Sequence, residues 1–343
     1  MTADIRPDRP IRWGVLSTAN IGLTKVIPAI QSSTGSEVVA IGSRQLTDAQ
    51  NAATKLGIPR AYGSYDELLA DPDIDAIYNP LPNHLHVPMS IRAANAGKHV
   101  LCEKPIAMSA KEARELLVAR DRNGVQIAEA IMVRTHPQWQ RVRELVASGR
   151  IGELRLITGH FSYYRRDPND VRSKVEYGGG ALLDIGGYLI TMSRWLFGAE
   201  PFEVVGQIER DPDFGVDRLA SGLLRFPNGQ AVFSCAGQLS LHQRMQILGT
   251  RGRIDVEIPF NPAADRPTTL VVDDGRDLNG GGAETIEIPA ADQYRLQAER
   301  FVDAIRGVGI VPVTVEDAIA NMSVLDALFA SATTKKWESP AFM

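Results

Sequence analysis

Three side chains have the types and settings to do chemistry. The run Val100-Leu101-Cys102-Glu103-Lys104-Pro105 carries the chain inward as a buried strand does, then delivers a carboxylate and an amine where that strand ends. Ligands of open α/β sheets bind at the carboxyl ends of strands, so an amine at Lys104 is set to touch one. Further on, 181–197 reads as an apolar helix interrupted by Asp184, with Tyr188 one turn later on the same face. A tyrosine could take a proton from a hydroxyl group, but free tyrosine titrates near pH ~10. A neighbouring ammonium would favour the phenolate and make it a usable base. Taken alone, Lys104 also reads as a surface lysine on a loop, and Asp184 with Tyr188 as a core hydrogen bond.

The first half supplies elements to position such a lysine. The strand 11–16 runs into Ser17-Thr18-Ala19-Asn20-Ile21-Gly22, a G-x-G-x-x-G turn whose first two glycines are Ser17 and Ala19. Small residues there let the backbone approach a pyrophosphate, and the following helix presents its N–H groups. Ser17, Thr18, Ala19, Asn20 and Ile21 are therefore cofactor candidates. The strand 37–42 ends in Ser43-Arg44, where NAD-binding units carry an acid for the ribose hydroxyl. Arginine suits a 2′-phosphate instead, which favours NADP and leaves NAD possible. The strand 75–80 leads into Leu81-Pro82-Asn83-His84-Leu85-His86. That loop is expected beside the cofactor, with Leu81, Pro82, Asn83 and His86 as contacts along with Glu103 and Lys104. The i, i+2 histidines, with no cysteine or acid cluster nearby, point to no metal. Helices are expected over 48–56, 65–69, 87–96 and 109–123, with a strand at 125–128. Strands alternating with helices imply a parallel, doubly wound sheet.

In the second half 151–164 reads as a strand leaving the nucleotide-binding unit, and the later strand-rich segments 201–210, 220–226, 231–239, 244–249 and 252–258 fit one antiparallel sheet. Polar 167–177 reads as a loop holding Arg172, Gly178–Gly180 as a flexible entry to the 181–197 helix, and 273–282 as a Gly/Asp-rich turn. Helices are expected at 293–305 and 315–333, the latter capped by Thr314.

The whole chain sets bounds on function. At 343 residues it has room for two domains, expected at 1–130 and 131–343. With 37 basic and 41 acidic residues its net charge is −4, which gives no footprint for nucleic acid. No run is long and apolar enough for a bilayer span, and residues 1–10 lack a signal-peptide core. Cys102 and Cys235 lie in apolar strand-like runs and read as buried free thiols, so a cytoplasmic location is expected.

Together these segments resemble the Gfo/Idh/MocA oxidoreductases, named for glucose-fructose oxidoreductase and inositol dehydrogenase. The likeness rests on Ser17–Gly22, Leu81–His86, Glu103-Lys104-Pro105, Glu129-Ala130 through His136-Pro137, and Gly178–Tyr188, in family order. It implies an N-terminal Rossmann domain and a C-terminal α+β domain with a large, open, mostly antiparallel sheet through which members pair as dimers or tetramers. It also implies a cis bond before Pro105, and a catalytic set of Lys104, Asp184 and Tyr188, the last two with Arg172 facing substrate. Histidine replaces the tyrosine in inositol dehydrogenases. The resemblance is therefore to xylose dehydrogenases, dimeric dihydrodiol dehydrogenases and glucose-fructose oxidoreductase. The expected activity is an NADP-dependent, xylose-like aldose 1-dehydrogenase acting on a small sugar or polyol. A dihydrodiol dehydrogenase, a glucose-fructose type oxidoreductase and a non-catalytic cofactor-sensing regulator are the alternatives.

Overall fold

Six short strands build the first sheet: β1 (Ile11–Leu16), β2 (Ser36–Gly42), β3 (Arg60–Tyr62), β4 (Ala76–Asn79), β5 (His99–Cys102) and β6 (Ile127–Glu129). The structure is a computed structural model that describes residues 9–342. All pairings in this sheet are parallel, in the order β3-β2-β1-β4-β5-β6. Every residue of β4, β5 and β6 is buried, as continuous apolar runs between two helical layers must be. The strand order reverses between β1 and β4, which opens a crevice at their carboxyl ends.

Two compact units divide the chain. The first runs to Thr135 and takes back Asp292–Ile319; the second holds His136–Ala291 and the chain from Ala320. The returning segment includes the helix Gln293–Ile305, whose Ala298, Phe301 and Val302 join Ile11, Trp13 and Ile30 in the core. Trp13 and Phe301 hold their ring centroids 5.6 Å apart. The expected boundary after residue 130 falls just short of Thr135, and the return of Asp292–Ile319 has no counterpart in the sequence reading. The expected helix over 109–123 is two pieces, Ala110–Ala113 and Glu115–Asn123.

In the second unit an eight-stranded sheet comprises β7 (Leu154–Tyr164), β8 (Glu203–Arg210), β9 (Asp217–Phe226), β10 (Gly229–Ala236), β11 (Gln238–Gly249), β12 (Gly252–Val256), β13 (Thr268–Asp273) and β14 (Ala283–Ile288). Its order is β14-β13-β12-β11-β7-β10-β9-β8. The expected antiparallel sheet is present with one exception, the parallel pair of β7 and β10. The expected turn at 273–282 connects β13 to β14, two strands absent from the sequence reading. A helix over 181–197 packs on the sheet: a Cβ at Gly159 of β7 would lie 2.3 Å from the Leu189 side chain. The sequence reading also left out the helix Pro137–Ala147, which starts where His136 Nδ1 accepts the Gln138 N–H at 3.1 Å. Cys102 and Cys235 are buried free thiols. Among the described residues no helix is long and apolar enough to cross a membrane.

Candidate active site

In the first unit the candidate residues gather at the carboxyl ends of β1, β2, β4 and β5. Ser17 stands where the dinucleotide turn has its first glycine, and it adopts the left-handed backbone that glycine would supply, with φ 79°. Its N–H donates to the Gly42 carbonyl at 2.8 Å, and its Oγ accepts the Ala19 N–H at 3.2 Å. The helix over 20–32 follows at once, with a π turn at Gly22–Val26. Its first N–H groups have no intrahelical acceptor. A small-residue turn opening onto helix N–H groups fits a pyrophosphate by chemistry and by space. Beyond the end of β2, Ser43 is buried and Arg44 is exposed.

The loop after β4 is built around two buried polar side chains. Asn79 Nδ2 donates to the His86 carbonyl and to Ser90 Oγ, both at 3.1 Å, while its Oδ1 accepts the Leu81 N–H at 3.3 Å. His86 has Nε2 2.6 Å from the Leu81 carbonyl and Nδ1 2.7 Å from the Pro105 carbonyl. Burial drives its pKa down to about 4, against the pull of both carbonyls. The sequence places His86 among the cofactor contacts; its ring is 1% exposed and both nitrogens face backbone oxygens. Leu81 is buried, and Pro82 and Asn83 are half-buried.

Glu103 accepts the phenol of Tyr78 at 2.8 Å and the Lys104 N–H at 3.3 Å. Burial first, then the Glu103 charge, push the Tyr78 phenol well up, so it stays a donor. The bond between Lys104 and Pro105 is cis, and Lys104 is half-buried. Glu129, itself buried, accepts the Ile106 N–H at 2.8 Å and anchors the far side of this turn. Sequence reasoning left out Tyr78 and gave Glu129 no role. A polar tip in an otherwise apolar strand was the available signal for both.

In the second unit the helix over 181–197 carries Asp184 and Tyr188. Its first full turn, Leu182–Gly186, is a π turn closed by the Gly187 N–H on the Leu182 carbonyl. Asp217 of β9 accepts the Leu182 N–H at 2.6 Å and so fixes the helix start. Burial pushes the Asp217 carboxyl up to about 6, although the N–H groups of Leu182 and Ala181 pull it down. Gly180 has φ 112°, and a Cβ there would fall 1.9 Å from Asp217 Oδ1. The glycines expected to give an open entry instead allow close packing.

Asp184 Oδ2 accepts two bonds, from the Tyr163 phenol at 2.6 Å and from Arg172 Nε at 2.8 Å. Arg172 is thus brought to Asp184, and Asp170 pairs with it as well. Tyr188 is buried, and its ring lies 5.6 Å from Phe260 and 6.2 Å from Phe161, which stack on each other at 4.8 Å. Four arginines around this region meet a carboxylate: Arg165 with Asp170, Arg166 with Asp211, Arg172 with Asp184, Arg218 with Glu209. Sequence reasoning left out Tyr163 and Asp217, because each meets its partner only through the sheet.

A Rossmann sheet with a nucleotide turn, joined in one chain to a second α+β unit carrying an acid and a phenol, defines an NAD(P)-dependent oxidoreductase. Residues 11–131 match the oxidoreductase family with an NAD-binding Rossmann fold, and residues 139–255 match the GFO/IDH/MocA C-terminal domain. The chain belongs to the Gfo/Idh/MocA oxidoreductase family. It is 49% identical to an uncharacterized oxidoreductase of Rhizobium meliloti over 96% of this chain and 99% of that one. It is 37% identical to a D-xylose 1-dehydrogenase (NADP(+)) of Haloferax volcanii over 94% of this chain and 97% of that one. A 3-ketoreductase from Actinomadura kijaniata, crystallised with NADP and TDP-benzene, superposes with a TM-score of 0.87 at 30% identity, covering 94% of this chain and 98% of that one.

Proposed function

We propose that this chain is an NADP-dependent aldose 1-dehydrogenase that converts the cyclic hemiacetal of a neutral, xylose-like sugar to its lactone. The observation that carries the reading is the Asp184 site. A carboxylate held by Tyr163 and Arg172, with Arg165, Arg166 and Arg218 each paired to a carboxylate, favours hydroxyl groups over a phosphate-bearing ligand. The D-xylose 1-dehydrogenase relative supports the same substrate class.

In this reading Tyr188 takes the proton of the anomeric hydroxyl. Lys104 hydrogen-bonds the reacting oxygen. Asp184 accepts a hydrogen bond from a sugar hydroxyl. A bound nicotinamide would supply the hydride acceptor; having lost the hydroxyl proton and the C1 hydride, the already cyclic hemiacetal is the lactone. Ser17–Ile21 would hold the pyrophosphate, Ser43 and Arg44 the 2′-phosphate, and Leu81–Asn83 with Glu103 would contact the rest of the cofactor.

The test is turnover of an aldose panel and of trans-dihydrodiols with NADP and with NAD, followed by absorbance of the reduced cofactor. Xylose or glucose should be oxidised, and Tyr188→Phe should lose at least ~100-fold in kcat while NADP affinity holds. Turnover of diols alone, or cofactor binding with no turnover of any sugar, would overturn the reading.

A further inference from the structure

Tyr163 closes strand β7, and its phenol donates to Asp184 Oδ2 at 2.6 Å. The same oxygen accepts Arg172 Nε, 2.8 Å away, from the short turn Val171–Ser173. These two donors differ in how firmly they are held. Tyr163 lies in β7 between Ser162, which pairs with Ala236 of β10 and His242 of β11, and Tyr164, which pairs with Gln238 of β11; the register with β11 shifts across it. Arg172 rises from a connecting turn with its side chain 42% exposed. Asp170 steadies that turn by accepting the Arg172 N–H at 2.9 Å and pairing with Arg165.

Charge is also apportioned between them. Burial, then the Asp184 carboxylate, push the Tyr163 phenol far above its ordinary range. It therefore serves as a donor throughout the working range and cannot take the substrate proton. Arg172 stays cationic, with Asp184 the main cause. Other groups near Asp184 include Asp170 behind Arg172 and the Cys235 thiol of β10, which burial keeps protonated. A flexible cation can neutralise a carboxylate, but a rigid phenol is what fixes the direction of its oxygens.

We propose that Tyr163 is a positioning residue: from the rigid sheet it sets the plane of the Asp184 carboxylate, so that Asp184 works as an oriented hydrogen-bond acceptor for a substrate hydroxyl. The proposal rests on the sugar-dehydrogenase reading for its substrate. It assigns no chemical step to Tyr163, in contrast to Tyr188.

The experiment is a cycle of Tyr163→Phe, Asp184→Asn and the double variant. Tyr163→Phe should raise KM for the aldose roughly tenfold to a hundredfold, with a smaller loss in kcat and unchanged NADPH affinity by fluorescence. In the Asp184→Asn background the same replacement should change nothing further. Additive losses in the double variant, or a wild-type KM in Tyr163→Phe, would overturn the proposal. If the wild-type protein oxidises no sugar, the aldose reading fails by itself, and carboxyl-13C aspartate labelling then carries the test. The resonance that Asp184→Asn removes should titrate at higher pH in Tyr163→Phe than in wild type; an unmoved midpoint would overturn the positioning role.

Discussion

His86 joins two loops into one piece: its Nδ1 sits 2.7 Å from the Pro105 carbonyl while its Nε2 sits 2.6 Å from the Leu81 carbonyl. The neutral ring carries one N–H, so it donates to one of these carbonyls, and its burial packs the loop after β4 against the turn that bears Lys104. Asn79 below and Glu129 beside them add buried hydrogen bonds to the same assembly. In such a frame the lysine is placed by the sheet rather than by its own flexible stem.

Acid should destabilise this protein through its histidines. His86, His99 and His136 are each buried, and burial lowers each pKa from 6.5 to about 4. For His99 and His136, a ring nitrogen also accepts a backbone N–H, which protonation would break. Between those two pKa values the unfolded chain binds more protons, so stability falls as pH drops through the window, by about 1.4 kcal/mol per pH unit for each ring. Asp217 opposes one of them: raised from 3.8 to about 6, it favours the protonated fold, and its contribution is lost as pH rises through that interval. The net expectation is a loss of about 3 kcal/mol per pH unit on acidification. Urea midpoints measured from pH 7 down to pH ~5 should fall steeply; a flat midpoint would refute the assignment.

Gly180→Ala should be among the most damaging single-methyl changes in the second unit. The new Cβ would collide with the Asp217 carboxylate at 1.9 Å, on a backbone with φ 112°. Displacing that carboxylate also removes the cap at Leu182, at the head of the helix that carries Asp184 and Tyr188. Clash and lost cap together should cost more than ~3 kcal/mol. A thermal melt within a degree or so of wild type would show that Asp217 does not seat the helix.

Arg44→Ala tests the cofactor preference. Arg44 is exposed past the end of β2, where a 2′-phosphate would need a cation. NADP affinity should fall roughly tenfold or more while NAD affinity is kept. Fluorescence titration with both reduced cofactors gives the comparison, and equal losses would remove Arg44 from phosphate recognition.

Much of the first unit is legible in the sequence because β1, β2, β4 and β5 are unbroken apolar runs followed by helices. β3 escaped notice because three half-buried residues carry no periodicity. The spacing of Asp184 and Tyr188 is local and can be read directly. Their supports cannot: Tyr163 is 21 residues from Asp184, and Asp217 is 35 from Leu182. The parallel seating of β10 on β7 is equally invisible, since alternation fixes which face a residue occupies but not which strand lies alongside. Gly178–Gly180 show the same limit, because glycine composition signals freedom of the backbone and is silent on whether that freedom serves an opening or a tight fit.

The helix Gln293–Ile305 has a consequence for how the molecule is made. Phe301 and Val302 complete the core beneath Trp13, yet they emerge from the ribosome after the whole of the eight-stranded sheet. During synthesis, then, the first unit has an aromatic surface uncovered until Asp292–Ile319 follows, and the eight-stranded sheet in turn waits for Leu328 and Glu338, which meet Gly222 and Val204. Neither unit is complete before the last stretch of chain is made, so both cores close late in synthesis.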